Sequence, residues 1–154
     1  MLCYRTAMNP KSVSTELNTF RETATSIKIL VRSLELRLSG KKWLGKGNEY
    51  SDGGVPLCGT SVINKATALL HPFCEESNLI TMKDITTFER QKYNTNRTLN
   101  ALLMENSTTN AQDNKIIFEM FANTLQNIGD IILGSKQLMK DIINGNEETP
   151  GMGM

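Results

Sequence analysis

The stretch VSTELNTFRETATSIKILVRSLELRL, Val13 to Leu38, decides the fold. Val13, Leu17, Phe20, Ala24, Ile27, Val31, Leu34 and Leu38 recur at alternating spacings of four and three. That is the a/d seam of a helix built to lie lengthwise against another helix. A second seam stands near the C-terminus: Phe118, Phe121, Leu125, Ile128, Ile132, Ser135, Met139 and Ile142, with Ser135 its polar position. The two seams predict an all-α fold, a helical bundle of about four helices whose long N- and C-terminal helices pair coiled-coil fashion. The first stripe widens where Ile29, Leu30 and Leu36 join it. Ile117, Ile131, Leu138 and Ile143 flank the second. Apolar surface beyond a seam predicts further neighbours.

Helix boundaries follow from local chemistry. Asn9-Pro10 offers a cap followed by proline at the first helical position. Gly40 ends the first helix, because glycine accepts the left-handed conformation after a last turn. Residues 40–59 form a long irregular segment holding six of the eleven glycines and the only tryptophan, Trp43. A loop of this length in a compact domain is commonly functional or mobile. Thr60 is the expected cap of a second helix with core residues Val62, Ile63, Ala66, Leu69 and Leu70, stopped near His71 by Pro72. Thr81 with Asp84 is the expected capping pair of a third. Its core residues are Ile85, Phe88, Leu99, Leu102 and Leu103, and it is read as continuous through polar Lys92–Arg97. Asn106–Asn110 makes a turn. Thr109 with Gln112, or Asn110 with Asp113, caps the last helix, which holds Gly129 and Gly134 and ends at Gly145. No strand is expected. The chain is read as one helical domain over 1–145 and a flexible tail over 146–154.

Charge is distributed unevenly. The net +1 resolves into +5 over residues 1–50, 0 over 51–100 and −4 over 101–154. A basic front and an acidic back attract one another, within a chain or between copies. Hydrophobic and charged residues make up 39% and 21%, both below the usual globular share, with Asn, Thr and Ser filling the difference. Such a composition fits an AT-rich coding sequence, as in some viruses, phages and low-GC bacteria. No signal peptide and no membrane span are expected. Cys3, Cys58 and Cys74 lack CxxC spacing, and an odd count fits a reducing compartment. The expected setting is soluble, in a reducing compartment or as part of a virion.

Several motifs fall short of a chemistry. Gly40–Gly47, GKKWLGKG, approaches the phosphate loop GxxxxGK[ST], but Gly47 replaces the magnesium-binding hydroxyl and a helix precedes it where a strand is needed. Cys58, His71 and Cys74, with Cys3, lack paired zinc-ligand spacing. His71 and Cys74 lack an orienting group and an oxyanion site for nucleophilic catalysis. Asn96-Arg97-Thr98 and Asn106-Ser107-Thr108 match the glycosylation pattern by composition alone. No enzyme, metal or cofactor is expected.

The basic cluster Lys41, Lys42, Trp43 and Lys46, preceded by Arg32 and Arg37, can hold a phosphate backbone while the ring stacks on a base. Trp43-Leu44-Gly45 after a long heptad helix, with Gly47-Asn48-Glu49 following, resembles the Trp-x-Gly turn of the small helical-hairpin substrates of type VII secretion. The resemblance covers the first third of the chain and implies a secreted helical hairpin. The sequence departs from that family in two ways: Gly53, Gly54 and Pro56 delay the second helix, and neither Tyr50 nor Tyr93 has an acid four residues on. The function expected is a non-enzymatic assembly or interaction protein, such as a viral or phage structural component or adaptor. Its partner would be itself, as a homo-oligomer, or another helical protein. The alternative is a nucleic-acid-binding accessory protein acting through residues 41–46. Interaction residues on these readings are Arg32, Arg37, Lys41, Lys42, Trp43, Lys46, Ile29, Leu30, Leu36 and Ile131.

Overall fold

The computed structural model describes residues 10–45, 50–51, 53–106 and 109–143; in the terminal helices, side chains are described from Asn18 onward and up to Gly134. In order come α1 (Pro10–Leu38), the two-residue strands β1 (Lys42–Trp43) and β2 (Tyr50–Ser51), α2 (Thr60–Ala68), a 3-10 turn (His71–Cys74), α3 (Glu76–Met82), α4 (Ile85–Glu105) and α5 (Ala111–Ile143). The fold is all-α apart from one small antiparallel pair, Lys42 opposite Ser51 and Trp43 opposite Tyr50.

The two long helices, α1 and α5, share the most extensive helix–helix contact among the described residues. Near the end of α1, the Arg37 guanidinium donates to Thr124 Oγ1 at 3.5 Å. Phe20, near its start, lies under the Lys83 ammonium, a few residues before Phe88, which packs on Gly129. The two helices therefore run antiparallel. Ala24, Ile27, Val31, Leu34 and Leu38 of α1 are buried against Phe121, Leu125, Ile128 and Ile132 of α5. Each large side chain so buried contributes roughly 1.5–3 kcal/mol of transfer free energy. Ile117 is buried where Phe118 was expected to lead, and Phe118 is half-buried beside it. Val13, Leu17, Ser135, Met139 and Ile142 have side chains outside the described set.

Three buried threonines enter the core with their hydroxyls bonded. Buried Thr23, Thr67 and Thr124 each donate to a carbonyl four residues back, at 2.7, 2.9 and 2.9 Å. This back-bonding is how a hydroxyl enters a helix core at low cost.

The segment between the long helices departs from expectation. Among the described residues five α-helices stand where about four were expected, because residues 71–82 form a 3-10 turn and a short helix. Pro72 lies early in that turn, where its missing N–H costs nothing. Phe73 is buried edge-on to Phe88, with ring centroids 5.9 Å apart at 70°. Thr60 is the first residue of α2, and Gly59 occupies the cap position without a side-chain bond. Asp84 is the N-cap of α4, its carboxylate accepting from Thr87 N at 3.0 Å and from Thr87 Oγ1 at 2.8 Å, while Thr81 lies in α3 and its carbonyl accepts from Asp84 N at 3.2 Å. Ile85, the first residue of α4, is 53% exposed and does not face the core. α4 continues unbroken through Lys92–Arg97, and Lys92 Nζ donates to Gln126 Oε1 of α5 at 3.1 Å. Asn110 caps α5, its Oδ1 accepting from Asp113 N at 2.7 Å.

α1 ends as glycine chemistry requires. Gly40 has φ +88°, its N–H donates to Arg37 O at 3.0 Å, and Lys41 N–H donates to Leu36 O at 2.9 Å. This is the Schellman pattern of paired closing bonds. The chain then returns along α1: Leu57 N–H donates to Leu38 O at 2.9 Å. The β1–β2 pair sits inside the segment expected to be irregular. Two residues per strand are too few to show an alternating pattern, which is why sequence reading missed it. Residues 144–154, including the expected stop at Gly145 and the tail, lie outside the described set.

Candidate functional site: the outer face of α1

The face of α1 opposite the seam carries Thr25, Lys28, Ile29, Arg32, Ser33 and Leu36. Their spacing places them in one stripe. The β1–β2 segment closes one end of it, where Tyr50 donates its hydroxyl hydrogen to Ser33 Oγ at 3.2 Å. Lys41, held by the Schellman turn, and Tyr50 complete a groove of about 650 Å³. Ile29 is 61% exposed in it, and Leu36 is half-buried. Lys28, Arg32 and Lys41 supply three cations, and no carboxylate is among the described lining residues. Arg32 pairs with Glu35 on the adjoining face at 2.8 Å, with its side chain still 64% exposed. Such an exposed pair leaves the guanidinium free to take a second anion.

The expected interaction residues divide. Ile29, Leu36, Arg32 and Lys41 come together in the groove. Lys42 and Trp43 lie beside it on β1, both exposed, with Trp43 the cross-strand partner of Tyr50. Leu30 and Ile131 instead pack against the core. Arg37 lies on the α1–α5 flank, where it bonds Thr124 and donates from Nε to Ser33 O at 3.4 Å. Lys46 lies outside the described residues. Lys28, Ser33 and Tyr50 were not singled out by sequence. The four-residue spacing of Lys28 and Arg32 carried that signal; nothing in the sequence pointed to Tyr50.

A second groove, about 730 Å³, runs along the other flank of Lys28 and Arg32 and is lined in part by His71, Cys74, Glu75 and Glu76. The structure thus brings His71 and Cys74 to one place. Their arrangement supplies neither a metal cluster among the described residues nor an activated thiol. Burial pushes the Cys74 thiol up; the Lys28 charge opposes this and the Glu75 charge adds to it. Cys74 donates weakly to Leu70 O at 3.7 Å. Burial also raises Cys58. A raised thiol is a poor nucleophile at neutral pH. The mixed signs of this groove favour no one class of ligand.

No described helix is long and apolar enough to cross a membrane. Trp43, the centre of the type VII resemblance, lies on β1, and the main partner of α1 is the C-terminal helix α5. Comparison with models of protein families, with curated proteins and with solved structures finds no match to this chain.

Proposed function

We propose that this is a non-enzymatic assembly protein that associates with copies of itself through the outer face of α1. On this reading the α1–α5 pair packs in coiled-coil fashion as the rigid spine of a helical bundle. The groove on its outside is the contact surface. The observation that carries the reading is the pairing of a 61%-exposed isoleucine with three cations in one open groove on α1. An apolar floor with Lys28, Arg32 and Lys41 among its described lining recognises an amphipathic, acidic protein surface. The chain carries such charge itself, in its −4 C-terminal third.

Sedimentation velocity over a concentration series at low and high salt tests this. Association that weakens but persists at high salt is the expected result, because screening removes the charge contribution and leaves the apolar one. A monomer under every condition contradicts it.

Trp43 supports a second reading. The indole is 59% exposed on β1, beside Lys41 and Lys42, a geometry suited to stacking on a base of single-stranded nucleic acid. Binding of a labelled oligonucleotide that falls steeply and log-linearly with salt would favour it. Absence of such binding at low salt would remove it.

A further inference from the structure

We propose that the groove on α1 receives the acidic segment 144–154 of a second copy of the chain, an inference that rests on the self-assembly reading above. The segment reads Asn-Gly-Asn-Glu-Glu-Thr-Pro-Gly-Met-Gly-Met. It holds Glu147 and Glu148, two methionines and no cation. Its chemistry is the complement of the groove: adjacent carboxylates for Lys28, Arg32 and Lys41, and flexible apolar side chains for Ile29 and Leu36.

Length agrees with the pairing. Thr25 to Leu36 spans eleven residues of helix, about 16 Å at ~1.5 Å per residue. An extended chain covers that in about five residues at ~3.3 Å each. Glu147 to Met152 is a stretch of that size.

Antiparallel packing favours a neighbour over the same chain. The Arg37–Thr124 contact fixes the register. It places Ile143, the last described residue of α5, level with the N-terminal part of α1 and on its seam side. The groove is on the opposite side of α1, so a chain's own segment would have to pass around the helix. A neighbour's segment is under no such constraint. A groove on one copy and a segment on the next is a heterologous contact, which propagates to a ring or a filament.

The test is a charge exchange in the full chain. One variant, Lys28→Glu with Arg32→Glu, reverses the groove. The other, Glu147→Lys with Glu148→Lys, reverses the segment. Each alone is expected to sediment as a monomer at concentrations where the unmodified protein associates. Their equimolar mixture is expected to associate again, because the basic segment of one meets the acidic groove of the other. A synthetic peptide of residues 144–154 should change Trp43 fluorescence and compete with association. Charge reversal of the groove should weaken its binding severalfold. If the segment variant associates like the unmodified protein while Ile29→Asp does not, the self-assembly reading stands and this inference falls. A mixture that remains monomeric also overturns it. So does a Trp43 signal that depends on Glu147 and Glu148 identically at every concentration, since that places the segment on its own groove.

Discussion

Gly129 of α5 lies directly beneath the ring of Phe88 of α4: a methyl group added at Gly129 would stand 2.6 Å from both Cε2 and Cζ of that ring. Phe88 is 1% exposed and held edge-on by Phe73, so it has nowhere to turn. The glycine is the means by which α4 and α5 approach, and it explains why a helix tolerates a residue that costs about 1 kcal/mol relative to alanine. Gly129→Ala therefore trades that gain against overpacking of roughly 1–3 kcal/mol. The expected net result is a loss of stability of about 1–2 kcal/mol. Gly134, with nothing within 4 Å of such a methyl, should gain up to about 1 kcal/mol as alanine. Denaturant melts of the two variants should move in opposite directions.

The seam itself is tested from both sides. Val31 is 7% exposed and Ile128 fully buried. Val31→Asp or Ile128→Asp places an unpaired carboxylate in the α1–α5 contact, at a cost of about 3 kcal/mol or more. Unchanged melting temperatures in both variants would contradict the pairing.

The closing turn behind α1 depends on two glycines. A methyl at Gly54 would fall 1.7 Å from the Gly40 carbonyl oxygen, a collision with backbone that no side-chain movement relieves. Gly54→Ala should detach the returning chain from the end of α1 and loosen the backbone at Lys41 and Lys42. Trypsin should then cut at Lys41 and Lys42 faster than in the unmodified protein, with α1 and α5 still intact in the first fragments.

Cys58 and Cys74 are buried, and burial raises both thiols above their ordinary value. Native protein near neutral pH should accordingly react with a thiol reagent at these sites far more slowly than free cysteine does, and denaturant should abolish the difference. The linkage has a definite sign. A thiol raised in the folded state contributes stability that is fully present below its unfolded value, and that contribution is lost as pH rises through the folded one. Stability should be flat in this respect at neutral pH and should fall in the alkaline range. Replacing both cysteines by alanine should remove that part of the alkaline loss.

The long helices were legible because a repeat of three and four survives whatever surrounds it. Leu34 and Ile128 could be placed in the core from spacing alone. Asn110 and Gly40 were legible because caps are local chemistry. The interior was harder. The short helix Glu76–Met82 offers two turns, too few for a periodic signal, and the exposed position of Ile85 is fixed by the Asp84 cap and not by its own apolarity. At the candidate site, Ile29, Arg32 and Leu36 followed from the stripe. Lys41 and Tyr50 joined them only through the returning strand pair, a contact set by backbone geometry. Leu30 and Ile131 looked equally free in sequence, but the core absorbs them.

The outer face of α1 is proposed to be a contact surface and not part of the core. Ile29→Asp separates the two most directly. At 61% exposure the substitution should change stability by no more than about 0.5 kcal/mol, while placing a carboxylate among Lys28, Arg32 and Lys41, on the apolar floor that a partner would cover. Sedimentation velocity of this variant beside the unmodified protein is the deciding measurement. A folded monomer at concentrations where the unmodified chain associates is the expected result; a variant that associates as before would contradict assembly through this face.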